Sequence, residues 1–122
     1  MRNLVLGLVF AVAALAAPAQ AQEAKQDFKL VNQTGFAISE VYVSPSKTDN
    51  WEEDVLGDDE LENDHSTTIK FNPKTKTCTY DLKVVYSEDD ESAVWQNIDL
   101  CRVSTITIHY DRSTKVTRAT FD

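Results

Sequence analysis

The 122-residue chain predicts an all-β fold: a small antiparallel sandwich of about seven short strands, with one short helix and one disulfide. Three observations carry this expectation. Apolar and polar residues alternate over most of the chain, which is the two-residue period of a half-buried strand. Threonine is frequent, and clusters of turn-forming residues separate the alternating runs. The only cysteines are Cys78 and Cys101, the complement of a single bridge. A closed barrel is the alternative architecture.

The elements follow in order. Residues 1–21 open with Arg2, continue as an apolar run from Leu4 to Ala17, and end on Ala19-Gln20-Ala21. This is the three-part pattern of a secretory signal peptide, with cleavage expected after Ala21. The run is shorter than the ~20 residues of a membrane span, and no cysteine stands at the junction to carry a lipid. The chain is therefore expected to be exported, periplasmic or secreted, with residues 22–122 forming one domain. Arg2 is the only charged residue in the leader, so the formal charge passes from −8 to −9 on its removal.

Phe28 and Leu30 alternate before the turn Asn32-Gln33-Thr34-Gly35. Phe36 and Ile38 begin a second run that Val41 and Val43 continue on the other parity, which predicts a bulge near Ser39-Glu40. Thr67, Ile69 and Phe71 alternate up to Asn72-Pro73-Lys74. The longest run is Cys78, Tyr80, Leu82, Val84 and Tyr86. The acidic turn Ser87–Ser92 follows, then a strand from Ala93 to Leu100. Ile106, Ile108 and Tyr110 alternate, Asp111-Arg112-Ser113 turns, and Lys115–Phe121 closes the chain. Between them, Asp49–Gly57 reads as a short helix: Asp49 can cap, Glu52 sits three residues on, and Gly57 suits the stop. Trp51 and Val55 then share a face, with Trp51 packing against one end of the sandwich.

Cys78 and Cys101 lie equally far from the middle of the Glu88–Glu91 turn. In an oxidising compartment they read as a disulfide. Direct opposition in a hairpin, a bulged hairpin and an inter-sheet link all stay open.

Charge is distributed unevenly. Between Asp49 and Asp64 stand nine acidic residues and no Lys or Arg, whereas the rest of the chain after residue 21 holds 11 acids and 11 bases. This acidity excludes nucleic acid as the default partner, since phosphate binding needs a basic surface. The crowded segment has three readings. It can be a solvated face that keeps the protein soluble. It can be a Ca2+ site using Asp54, Asp58, Asp59 and Glu60 around the Gly57 turn, although the spacing is not that of an EF-hand. It can be a docking surface for a basic protein.

Other chemistries are poorly supplied. His65 and His109 are the only histidines, too few for a tetrahedral zinc site beside a disulfide. His109 is expected to face solvent on its strand. No nucleophile-elbow motif occurs, and with Gly7 lost in the leader only Gly35 and Gly57 remain, so there is no glycine-rich phosphate loop. Asn32-Gln33-Thr34 matches the N-glycosylation sequon.

The stretches VNQTGFAISEVYVSPS, DNWEEDVLGDDEL, CTYDLKVVY and NIDLCRVSTITI resemble a family of small exported proteins of alphaproteobacteria and their relatives, over nearly the whole chain after residue 21. The resemblance implies the strand-rich fold and the exported location. Members of that family carry the label argininosuccinate lyase. That enzyme is helical and several hundred residues long, with a Gly-Ser-Ser-x-Met-Pro signature. This chain has no Gly-Ser-Ser, and its single Met is Met1. The label therefore reads as a misannotation, and no catalytic residue is carried over.

The function expected from the sequence is an exported binding or structural module with an acidic loop and no enzymatic activity, without a cofactor unless Ca2+ binds. An envelope inhibitor or adaptor that binds a basic protein is the alternative. A small hydrolase using carboxylates is the third reading.

Overall fold

The computed structural model describes residues 23–122. The predicted signal peptide and its cleavage point lie outside them. Among the described residues seven strands form: β1 (Phe28–Gln33), β2 (Ile38–Pro45), β3 (Ser66–Ile69), β4 (Thr79–Tyr86), β5 (Ser92–Asp99), β6 (Thr105–Asp111) and β7 (Val116–Phe121). They make two sheets, one in the order β3-β1-β6-β7 and the other in the order β2-β4-β5.

The alternating residues explain why the sheets meet. Phe28 and Leu30 of β1 and Ile106 and Ile108 of β6 point one way. Val41 of β2 and Leu82 and Val84 of β4 point the other, and all join one buried cluster. Leu30, Val41, Val84, Ile106 and Ile108 are completely buried. Burial of this kind, at roughly 25 cal/mol per Å2 of apolar surface, is the main stabilising contribution.

The expectation of a wholly antiparallel fold needs correction, and the expected bulge is found. The fold is only mostly antiparallel, because β1 runs parallel to β6, from Lys29 beside Thr105 to Gln33 beside His109. The Asn32–Gly35 turn carries the chain from one sheet to the other, so β1 and β2 never pair and β1 takes a later strand as its neighbour. The parity switch in the second run does mark a bulge: Ile38 faces Tyr86, Glu40 faces Val85, and Ser39 is left over.

The predicted helix at Asp49–Gly57 does not form; among the described residues there is none. The backbone there bonds to β2 instead. Val55 N–H donates to the Val41 carbonyl (2.8 Å), and Val41 N–H donates to Asp54 Oδ1 (2.9 Å). Glu52 N–H donates to Ser44 Oγ (3.0 Å). Helical pairing would also set Asp49 against Glu53 and Asp54 against Asp58 at unfavourable i,i+4 spacing. Gly57 still takes the left-handed conformation (φ 62°), in a turn rather than at a helix end. Trp51, expected to plug the sandwich, lies half-buried outside the core with its ring 6.3 Å from that of Tyr42.

The disulfide joins Cys78 to Cys101 with Cα atoms 5.3 Å apart. Of the three geometries left open, the bulged hairpin is the one found. Thr79 pairs with Asp99 and Tyr80 with Ile98, but Leu82 pairs with Trp95, so Asp81 faces both Gln96 and Asn97. Asn97 adopts a positive φ of 59°, and Asp81 Oδ1 accepts its N–H (3.0 Å) together with the Ser46 hydroxyl (2.7 Å). The bulge places Leu100 opposite Cys78, whose carbonyl accepts the Leu100 N–H (2.8 Å). Cys101 therefore meets Cys78 diagonally, one residue further on.

Burial of the phenols has a pH consequence. Desolvation raises the pKa of Tyr80 and Tyr86 above the usual value near 10. The folded state holds these protons more tightly, so the unfolded chain releases them first. Stability is then full below about pH 10 and falls as pH rises past it. Urea midpoints between pH 7 and 11 are expected to hold steady and then decline. Tyr80→Phe is expected to flatten that decline.

Candidate functional site: an acidic cleft between β2 and β3

Beyond the bonds of Glu52, Asp54 and Val55 to β2, the acidic segment is fixed to the body at Leu61. Leu61 is buried, and its backbone exchanges two hydrogen bonds with Ile38, donating at 2.8 Å and accepting at 3.0 Å. With Leu61 pointing inward, its neighbours Glu60 and Glu62 are left exposed.

Asn32 holds the same segment from below. Its side chain is fully buried in β1. Nδ2 donates to the carbonyls of Leu61 (2.8 Å) and Phe36 (2.7 Å), while Oδ1 accepts the Thr34 N–H (3.0 Å) and lies 2.7 Å from the Thr34 hydroxyl. The Asn32 carbonyl accepts the Asp64 N–H (2.7 Å), and its own N–H donates to the His65 carbonyl (2.9 Å). Asn63 Oδ1 accepts the Gly35 N–H (2.7 Å). Gly35 is required there: its φ is 89°, and a Cβ would lie 3.2 Å from Arg112 Nη2. With both amide hydrogens spent on buried carbonyls, Asn32 serves as an internal clamp, and its sequon is closed to a glycan in the folded protein.

The result is a cleft of about 770 Å3 between the lateral edges of the two sheets. One wall presents Asp58, Asp59, Glu60 and Glu62, with exposed Val55 beside them; the other is the approach to β3, His65 to Thr67. Among the described residues no Lys or Arg lines it. Leu56 and Leu61 supply an apolar floor.

The residues read from the sequence as a Ca2+ set divide here. Asp58, Asp59 and Glu60 stand together on the wall, exposed. Asp54 does not join them, because its Oδ1 accepts the N–H groups of Val41 and Leu56 (3.0 Å) and so caps the backbone turn. Among the described residues, the only three metal-ligating side chains with ligand atoms mutually within 4.8 Å are Cys78, Asp99 and Cys101. Two of those are the disulfide, which offers no thiolate. The other acids of the segment disperse as well. Asp49 borders a separate hollow with Trp51 and Asp81, and Asp64 occupies a left-handed turn position (φ 67°).

His65 is exposed at the rim. His109, expected to face solvent, is half-buried on β6, with Nε2 3.4 Å from Thr120 Oγ1. On β2, Tyr42 donates to the Glu40 carboxylate, and that bond holds its phenol above its usual pKa. Sequence reasoning missed Glu62, the His65–Thr67 wall and the Asn32 clamp. The period-two run Glu60-Leu61-Glu62 was the available signal for the first of these. The chemistry on offer is that of an anionic receptor with an apolar base. No protein-family model, curated protein or solved structure matches the chain, so this cleft is characterised by its own residues.

Proposed function

We propose that the protein is a small exported binding module, not an enzyme, that holds a basic segment of an envelope protein in the cleft between β2 and β3. One observation carries the reading: four carboxylates line one wall of a concave surface to which, among the described residues, no Lys or Arg contributes. Convergent charge of one sign raises the local concentration of oppositely charged partners and speeds encounter. Exposed ion pairs each contribute roughly 0.2–1 kcal/mol. Four of them thus give modest affinity, to which apolar contact with Val55 and Leu56 adds. Salt screens such pairs over about 8–10 Å, so the binding is steeply salt-dependent.

The experiment is titration of the protein with a lysine-rich peptide at several salt concentrations. Neutralising the wall with Asp58→Asn, Asp59→Asn, Glu60→Gln and Glu62→Gln together is expected to abolish binding, with no loss of stability beyond about 1 kcal/mol. Equal affinity in the neutralised variant contradicts the reading.

Ca2+ binding on the same wall is the second reading, supported by the adjacency of Asp58, Asp59 and Glu60. Melting in millimolar Ca2+ tests it, with Mg2+ as control. Saturation at 100 times the dissociation constant stabilises by roughly 2.7 kcal/mol. An unchanged midpoint removes this reading and leaves the first intact.

A further inference from the structure

The opposite lateral side of the molecule carries a second cleft, of about 410 Å3, between the free edges of β5 and β7. A protein with two open sheets has four strand edges, and exposed edges invite pairing unless they are blunted. Three are blunted here. The β2 edge is covered by residues 52–61, through the bonds of Glu52, Val55 and Leu61 described above. The β3 strand is only four residues long. The β7 strand follows Lys115 and carries Arg118. The fourth edge, β5, is blunted only in its second half, by the Gln96-Asn97 bulge. Its first half, Ser92–Trp95, has no charge, no proline and no bulge.

The hydrogen-bond phase shows what that half offers. Tyr86 N–H donates to the Glu91 carbonyl (2.9 Å), in the same register that pairs Val84 with Ala93 and Leu82 with Trp95. Hydrogen-bonded pairs alternate in an antiparallel ladder. Ser92 and Val94 therefore direct their N–H and C=O groups away from β4, and both residues line the cleft. Val94 is 47% exposed, and Val116 across the gap is 53% exposed.

The floor is aromatic. Phe36, Tyr86 and Tyr110 pack edge to face, with centroids 5.4–6.2 Å apart. The Tyr86 hydroxyl bonds Thr117 Oγ1 (2.7 Å), tying β4 to β7 across the two sheets. The Arg112 guanidinium lies over the Phe36 ring at 5.3 Å, a cation–π contact. At the rim, Glu88, Asp89 and Glu91 face a single ammonium, Lys115.

We propose that the Ser92–Trp95 edge of β5 is a strand-docking site for an extended segment of a partner protein that alternates apolar residues with Lys or Arg. The main chain of that segment bonds Ser92 and Val94 and continues the sheet β2-β4-β5. Because side chains alternate between the faces of a strand, its apolar side chains cover the aromatic floor on the core side of β5, and its cationic side chains, on the outer face that Val94 shares, meet the carboxylates of the Glu88–Glu91 turn. Charge complementarity selects this occupant, since the three acids lining the rim outnumber Lys115 and the Arg112 guanidinium beside Phe36 together.

The test is titration of the 15N-labelled protein with a short capped peptide of alternating lysine and valine. Shifts are expected at Ser92 and Val94. Val94→Pro removes an N–H that β4 does not use, and is expected to weaken binding by about tenfold, the scale of one lost hydrogen bond. Val94→Lys, at an exposed side chain, gives the same loss by repulsion and guards against a folding defect in the proline variant. Joint neutralisation by Glu88→Gln, Asp89→Asn and Glu91→Gln weakens binding and flattens its salt dependence. Absence of binding, or binding unaltered by both Val94 variants, overturns the proposal. So does self-association of the protein that Val94→Pro abolishes, because the occupant is then a second copy. Binding lost on neutralising Asp58–Glu62 but not on changing Val94 also overturns it, while supporting the function assigned to the other cleft.

Discussion

Asn32→Ala is expected to destabilise the protein by about 2–4 kcal/mol, the largest effect of any single polar substitution in the fold. The side chain is fully buried and satisfies four partners. Truncation leaves the N–H of buried Thr34 without its acceptor, and a buried unsatisfied group costs about 1–3 kcal/mol; it also takes one donor each from the carbonyls of Phe36 and Leu61, which keep the Thr34 hydroxyl and the Ile38 N–H. In a domain of this size each kcal/mol lowers the thermal midpoint by roughly 4–8 °C, so the shift is read easily by melting. Asn32→Asp separates bonding from packing. It keeps the shape but turns a double donor into an acceptor facing two carbonyl oxygens, and it is expected to be at least as damaging. Amide exchange at Leu61 and Asp64 is expected to accelerate in either variant ahead of the core strands, because those amides belong to the segment Asn32 clamps. Unchanged stability in both variants contradicts this role.

The paired replacement Cys78→Ser and Cys101→Ser is expected to cost roughly 3 kcal/mol. The bridge closes a loop with a sequence separation of 23 residues, and the chain-entropy relation gives that magnitude. The effect arises mostly in the unfolded chain, where the constraint is lost. The β4–β5 ladder, the Asp81 bond to Asn97 and the Leu100 bond to Cys78 remain to hold the hairpin. The folded variant is therefore expected to bind the same ligands with the same affinity at temperatures below its lowered midpoint. Denaturant unfolding of the double variant is expected to match that of the reduced wild-type protein. Iodoacetamide is expected to label neither cysteine of the untreated protein, as both sulfurs are bonded.

These features differ in how visible they were in the sequence. Seven strands were legible because inward residues such as Tyr80, Leu82 and Val84 alternate with polar ones, and a period of two survives in any sheet arrangement. The bulge at Ser39 was legible because parity changes between Ile38 and Val41. The same alternation carries no information on direction, so the parallel pairing of β1 with β6 was invisible. The Asp49–Gly57 helix failed for a related reason. Its capping residues were those a helix needs, but the competing partner, the edge of β2, appears only when the sheet is assembled.

The candidate site was legible in composition and not in detail. Counting found the acidic segment, and Asp58, Asp59 and Glu60 do gather on one wall. Counting could not show that Asp54 is spent on backbone N–H groups, or that Asp49 and Asp64 lie elsewhere. Asn32 stood out only as part of a sequon, a local motif unrelated to the long-range bonds that give it its role. The second cleft draws on Phe36, Tyr86, Val94 and Tyr110, which no short window contains.

The central claim is that the acidic wall is a receptor for positive charge and not merely a solvated face. The most direct measurement is amide chemical-shift mapping of the 15N-labelled protein against a lysine-rich peptide and its glutamate-rich counterpart. The predicted result is saturable shifts at residues 58–62 and 65–67 with the lysine peptide alone, fading as salt rises from low to physiological concentration. Shifts scattered evenly over all exposed acidic residues, with no saturation, contradict it.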